Sequence, residues 1–104
     1  MQEMKQLLFR VDEQELKTVE QYTGIMRGSH NYLCLMFDFG REWESYKKVA
    51  SVKDVEGNEY NDIITRNGVL LPRKVTGTSR LYITVYGRKG ESTVQTNTVT
   101  IEQL

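Results

Sequence analysis

Alternating apolar and polar side chains recur along the chain with a period of two, which predicts β-strands rather than helices. The clearest run is residues 31–39, in which the odd-numbered side chains from position 33 onward are apolar and would face a core. Residues 80–86 and 98–102 repeat the alternation. The residues predicted to form the core, with an aromatic plug after the first strand, are Leu33, Leu35, Phe37, Phe39, Trp43, Leu81, Ile83, Val85, Val99 and Ile101.

Weaker alternation predicts several shorter strands. Before position 31, strands can be placed only loosely, at 15–19 and 22–26. The consecutive apolar pair Val49-Ala50 indicates a β-bulge within the strand that contains it. The other predicted short strands are 5–11, 46–53, 59–64, 69–71 and 92–95.

Turn-forming residues separate these strands at regular intervals. Glu56-Gly57-Asn58 and Asn67-Gly68 are typical of tight turns, and residues 87–90 read as a short loop. Pro72 would end a strand at a position where a missing N–H does little harm. Such spacing favours a single all-β domain over residues 1–104, built as a sandwich or small barrel. Residues 1–30 would then form an N-terminal arm or extra strands.

The charge balance and the single cysteine restrict the classes of partner. The 104 residues carry 14 basic and 14 acidic side chains, so no positive field would attract nucleic acid or an anionic membrane. Cys34 is the only cysteine and lies in an apolar run, which predicts a buried, inert thiol and no internal disulfide. With no apolar stretch of signal-peptide or membrane-span length, we expect a soluble protein made in the cytoplasm.

Residues that could perform chemistry lack partners in the sequence. His30 is the only histidine and is expected in a solvated turn, so no metal-ligand spacing can be recognised. Asp54 and Glu56 flank a turn, and tight-turn chemistry explains them better than a calcium loop does. Residues 87–90 do not lead into a Gly-Lys-Ser/Thr step and a helix, so they are not a phosphate-binding loop. We therefore expect no enzyme activity, no cofactor and no metal.

Tyrosines are the best candidates for a binding surface. Tyr82 and Tyr86 would share the strand face opposite the core, and Tyr32 is a third candidate interface residue. Two tyrosines on one face suit a glycan platform, and they suit a protein–protein interface equally well. Packing under a neighbouring loop or strand is the simplest alternative.

Five segments occur in an order that resembles small virion proteins of tailed phages that infect Gram-positive bacteria. The segments are FDFGREW at 37–43, KKVASV at 47–52, VLLP at 69–72, LYITVYG at 81–87 and TNTVTI at 96–101. Two conservative departures are visible, because Leu71-Pro72 stands where the family pattern has Val-Pro and Ile83 stands where it has valine. The match runs from Phe37 to Ile101.

The resemblance implies an immunoglobulin-like antiparallel β-sandwich, here of about seven to eight strands, that attaches to a capsid or tail surface without catalysis. The expected function is capsid decoration, with a tail or baseplate accessory protein or a carbohydrate-binding module as alternatives. The expected partners are other virion proteins, with self-association or a glycan possible, and the expected location is the virion. The indole of Trp43 would close the open end of the sandwich, with its N–H reaching a loop carbonyl.

Overall fold

Nine β-strands and one short 3-10 helix, Arg41–Trp43, make up the regular structure of the described residues. The computed structural model describes residues 5–19, 33–71 and 78–103. The strands are β1 (Lys5–Asp12), β2 (Glu15–Thr18), β3 (Leu33–Phe39), β4 (Lys47–Asp54), β5 (Glu59–Ile63), β6 (Gly68–Leu70), β7 (Arg80–Lys89), β8 (Ser92–Gln95) and β9 (Val99–Glu102).

The strands form two sheets packed as a sandwich, which confirms the predicted all-β fold. Sheet A has the order β2-β1-β3-β6, and sheet B has the order β5-β4-β7-β8. Strand β9 also pairs directly with β7. Because β8 and β9 pair with successive parts of β7, they act as two segments of one edge strand. In sheet B, β4 and β7 are the two central strands.

One pair of strands, β1 and β3, is parallel, whereas an antiparallel sandwich was expected. β1 runs parallel to β3 over seven residue pairs, from Lys5 opposite Leu33 to Val11 opposite Phe39. A parallel pair needs a crossover connection, and the chain between β2 and β3 includes residues 20–32, where the predicted strand at 22–26 lies outside the described residues. The N-terminal strands are therefore an integral part of sheet A and not a separate arm.

The core lies between the two sheets and takes the inward-facing residues of both. Eight of the ten predicted core residues are buried, whereas Phe39 and Val99 are only partly buried. Phe39 is the last residue of β3 and lies at the end of the sandwich, where the ammonium of Lys48 is 5.2 Å from its ring centroid. Val99 begins the edge strand β9, so only one neighbouring strand covers it. Alternation along a strand shows which face of the sheet a side chain lies on. It does not show how far that side chain is from the edge or end of the sandwich.

Three local predictions are wrong. No bulge occurs at Val49-Ala50, because β4 keeps one continuous register with β5 and with β7, and Val49 faces outward beside Tyr86. The predicted loop at residues 87–90 is mostly strand: β7 continues to Lys89, and only residues 90–91 turn. At Asn67-Gly68 the turn is displaced by one residue, since the left-handed conformations belong to Arg66 and Asn67.

Trp43 closes one end of the sandwich. Its side chain is buried, and its indole N–H donates a hydrogen bond to the carbonyl of Glu13 at 2.7 Å. The backbone N–H of Glu13 donates in turn to the carboxylate of Glu42, so the turn between β1 and β2 is held against the 3-10 helix. Aromatic rings follow one another from the core to this end, in the order Phe9, Phe37, Phe39, Trp43 and Tyr46.

Gly87 is required by this packing. It is buried within β7, and a Cβ added there would lie 2.5 Å from Cζ3 of Trp43 and 3.1 Å from a methyl carbon of Val94. The glycine therefore marks a close approach of the strand to the indole, not a turn.

Asn97 joins the two sheets along one long side. Its side-chain oxygen accepts a hydrogen bond from the N–H of Leu16 at 2.7 Å, and its side-chain amide donates to the carbonyl of Leu16 at 2.9 Å. The residue before it, Thr96, lies at the break between β8 and β9, where its hydroxyl accepts from the N–H of Val85 at 3.0 Å. The amide of Asn97 thus pairs with β2 as a neighbouring strand would.

Replacement of Gly87 by alanine is expected to destabilise the fold by about 1–3 kcal/mol, because the new methyl group overlaps the indole. Urea unfolding measures the loss. In a Trp43→Phe background, which shortens the ring, the same substitution should cost less. An equal cost in both backgrounds would show that the strain arises elsewhere.

Replacement of Asn97 by alanine is expected to lower the free energy of unfolding by about 1–3 kcal/mol, since both polar backbone groups of Leu16 lose their partner. Chemical denaturation gives the value. Asn61→Ala, the same change on an exposed edge strand, is the matched control and should stay within about 0.5 kcal/mol. Equal effects at the two positions would contradict a bridging role for Asn97.

Candidate functional site

The outward-facing side chains of β4, β7, β8 and β9, with those of the loop between β8 and β9, form a surface that we call the outer face of sheet B. Tyr82 and Tyr86 both lie on it, four residues apart on β7, as predicted. Tyr82 is half-buried and Tyr86 is exposed. A groove of about 380 Å³ runs over this face, lined by Ser51, Lys53, Asp54, Tyr82, Thr84, Tyr86, Gln95 and Thr98.

The floor of the groove is a row of hydroxyl groups. Ser51 and Thr84 are opposite each other on β4 and β7, and both are buried although they face outward. The Thr84 hydroxyl is 2.8 Å from that of Thr98, and the Ser51 hydroxyl is 3.5 Å from a carboxylate oxygen of Glu59. The two tyrosines flank this row, with Cα atoms roughly 13 Å apart at the rise expected for a strand.

Charged groups around the groove are paired with one another. The ammonium of Lys53 lies 3.7 Å from the carboxylate of Glu59, and the guanidinium of Arg80 lies 3.3 Å from that of Glu102. The pKa of Arg80 is raised above its ordinary value by the hydroxyl of Tyr82 and by the charge of Glu102. These pairs balance the charges beside the groove, and Lys47 and Arg88 add two cations to the face beyond Tyr86.

Asp54 belongs to the turn between β4 and β5. One carboxylate oxygen accepts the N–H groups of Glu56 and Asn58, each at 2.9 Å, and the other accepts the Asn58 side-chain amide at 2.8 Å. Burial acts to raise the pKa of Asp54, but these hydrogen bonds outweigh it and hold the pKa below its ordinary value of 3.8. Its oxygens are occupied by protein donors, as tight-turn chemistry requires.

The remaining candidates from the sequence do not join this site. Tyr32 and His30 lie outside the described residues. Cys34 is half-buried rather than fully buried, because it points to the outer face of sheet A, where its sulfur lies 3.6 Å from that of Met36. Burial raises the pKa of its thiol, which keeps it in the unreactive protonated form.

A second feature with binding potential is the exposed edge of sheet B at β5. The bonds from Ile64 N–H to the Lys48 carbonyl and from Asp54 N–H to the Asn58 carbonyl fix the ladder between β4 and β5. In an antiparallel ladder the residues alternate, so the backbone groups of Glu59, Asn61 and Ile63 point away from β4. We call this row the β5 edge.

Asp62 protects one position of the β5 edge. Its carboxylate accepts the N–H of Ile63 at 2.9 Å and the hydroxyl of Tyr60 at 2.9 Å. Burial, and then this carboxylate, raise the pKa of Tyr60. The outward-pointing backbone groups of Glu59 and Asn61 have no such bond to Asp62, so within the described part of the chain the shield lies at the Ile63 end of the edge.

Sequence reasoning found the tyrosines but missed the hydroxyl floor and the β5 edge. The positions of Ser51 and Thr84 follow the same alternation, yet their meeting depends on the register between β4 and β7. The register depends on how two strands pair across the sheet, so the sequence of one strand alone does not show it.

Two features are absent from the described residues. No group of three or more His, Cys, Asp or Glu side chains there is placed to hold a metal ion. Likewise, that part of the chain has no helix with the length and apolar character needed to cross a membrane. Comparisons of the chain with family models, curated proteins and solved structures give no match.

Because the folded-state pKa of Asp54 lies below the unfolded value, its ionised form stabilises the fold above the ordinary pKa, and this stabilisation is lost as the pH falls through the folded pKa. As the pH falls from about 6 to about 3, we expect the free energy of unfolding to decrease less for Asp54→Asn than for the unmodified protein. Urea unfolding at several pH values measures the slopes. A pH profile of Asp54→Asn parallel to that of the unmodified protein would disprove this role of the Asp54 carboxylate.

Proposed function

We propose that the chain is a non-enzymatic structural protein of a tailed-phage virion, and that it decorates the capsid by attaching through the β5 edge. The observation that carries the mode of attachment is the difference between the two long sides of the sandwich. On one side, the amide of Asn97 occupies the backbone groups of Leu16 in β2. On the other side, the backbone groups of Glu59 and Asn61 point outward from β5.

An outward-pointing row of backbone groups favours attachment by strand addition. A β-strand of a partner can pair with such an edge, and the main-chain hydrogen bonds then supply affinity. Exposed apolar side chains near this side add surface that a partner would bury. Ile63 on β5 is 48% exposed, Val55 in the preceding turn is 49% exposed, and Leu70 on β6 is 40% exposed.

The short length of the β5 edge is compatible with a repetitive particle. β5 has five residues and Asp62 covers one of its outward positions, so a single attachment would be weak. Many equivalent sites on a lattice would raise the overall avidity if copies are also linked to one another. The resemblance of residues 37–101 to phage virion proteins supports a virion as the particle; we place the chain on the capsid, with a tail or baseplate as the alternative location.

Proline at Asn61 tests the attachment. The substitution removes an N–H that lies outside the β4–β5 ladder, and proline is tolerated on edge strands in this orientation, so the protein should fold but fail to bind. Fluorescently labelled protein is added to capsids assembled without it, and bound protein is measured against concentration. The unmodified chain should saturate at a fixed number of copies per lattice unit, and Asn61→Pro should not bind.

Asn61→Thr, which keeps the N–H, is the matched control and should bind as the unmodified chain does. If Asn61→Pro does not fold, Glu59→Pro replaces it, because proline is also accepted at the first residue of a strand. Binding by a folded proline variant would disprove attachment through this edge. Electron microscopy distinguishes the locations: label on tails alone overturns capsid decoration in favour of the tail, and absence from both overturns the virion assignment.

A further inference from the structure

The outer face of sheet B has the composition of a ligand site that attachment through the β5 edge would leave exposed. We propose that this face binds a neutral carbohydrate chain in the groove between Tyr82 and Tyr86. The inference does not depend on the virion assignment, because strand addition at β5 extends sheet B sideways and does not cover its outer face.

The walls of the groove are suited to sugar rings. Tyr82 and Tyr86 lie on the same face of β7, on either side of Thr84. Aromatic rings pack against the apolar C–H faces of pyranose rings, and a phenolic hydroxyl can add a hydrogen bond to the sugar. Because the two tyrosines are roughly 13 Å apart along the strand, one carbohydrate chain could contact both rings. This spacing suits an oligosaccharide better than a single sugar.

The floor of the groove is suited to hydroxyl groups. Ser51, Thr84 and Thr98 each carry a hydroxyl that can donate one hydrogen bond and accept others, and Gln95 supplies an amide with both functions. A sugar hydroxyl can also donate and accept, so it can bond to these protein hydroxyls either as a donor or as an acceptor. The threonine hydroxyls are already 2.8 Å apart, which fixes their positions before a ligand arrives.

The charges around the groove favour a neutral ligand. Lys53 is paired with Glu59, and the carboxylate of Asp54 is occupied by the turn that follows β4. Lys53 is the one cation among the residues that line the groove, so a nucleic acid or an anionic glycan is disfavoured there. A peptide strand is also disfavoured here, because the backbone groups of β4 and β7 are used within the sheet and the floor is polar.

Titration of the isolated, isotope-labelled chain with neutral oligosaccharides tests the proposal. The probes are cellohexaose, maltohexaose and the hexamer of N-acetylglucosamine, each raised to about 10 mM, where millimolar affinities are detectable. At least one should shift the amide resonances of Ser51, Tyr82 and Thr84 in two-dimensional NMR spectra. Tyr82→Ala and Tyr86→Ala should each weaken that binding at least about tenfold.

Thr84→Val tests the floor, since it removes one hydroxyl and keeps the shape and the strand preference of the side chain. Its matched control is Thr93→Val on β8, outside the groove, which should leave the affinity unchanged. Retained dispersion of the spectra shows that each variant is folded. A failure of all three neutral probes to bind, binding that the tyrosine and Thr84 variants do not weaken, or tighter binding of a heparin hexasaccharide would overturn the proposal.

Discussion

The hydrogen bonds between the side chain of Asn97 and the backbone of Leu16 hold the two sheets together along one long side of the sandwich. A two-sheet sandwich has two long sides, and each side ends in strands whose backbone groups need partners. Here the amide of Asn97 takes the place of a neighbouring strand for β2, and the Asn97 N–H reaches the carbonyl of Gln14 at 3.3 Å. These bonds join the two sheets on that side although no strand continues from one sheet into the other. On the opposite side, Asp62 covers one position of the β5 edge, and the described residues show no bridge like that of Asn97.

One end of the sandwich is closed by a large residue that packs directly against a small one. Trp43 fills the opening between the sheets, and Gly87 allows β7 to pass directly beside its ring. The indole N–H also holds the turn between β1 and β2 through Glu13. β7 keeps one continuous register with β4 past this contact, up to Arg88, so its outward residues are aligned with those of β4. The groove between the two tyrosines is a result of that alignment.

Much of the fold could be predicted from alternation, because the alternate apolar residues of β3 and β7 show directly which face of each strand is buried. The pattern does not contain strand direction, so the parallel pairing of β1 with β3 could not be predicted. It also misidentified Gly87, since a glycine that makes room for a ring looks the same in sequence as a glycine in a turn. For the candidate site, the face of Tyr82 and Tyr86 was predictable from period two. The hydroxyl row beneath them required the register between strands that are distant in sequence.

The wide separation in sequence between the two partners of the Asn97 bridge has a consequence for the order of folding. Asn97 and Leu16 are 81 positions apart, and β1 cannot pair with β3 until the crossover between them is complete. Contacts that join distant parts of a chain require the entropy of loop closure to be lost before they contribute stability, and they slow folding. We expect the antiparallel strands β4, β5 and β7 to assemble from nearer neighbours first, with sheet A closing onto them late. During that interval β2 would be an unprotected edge, and the newly made chain would be most prone to associate with other copies.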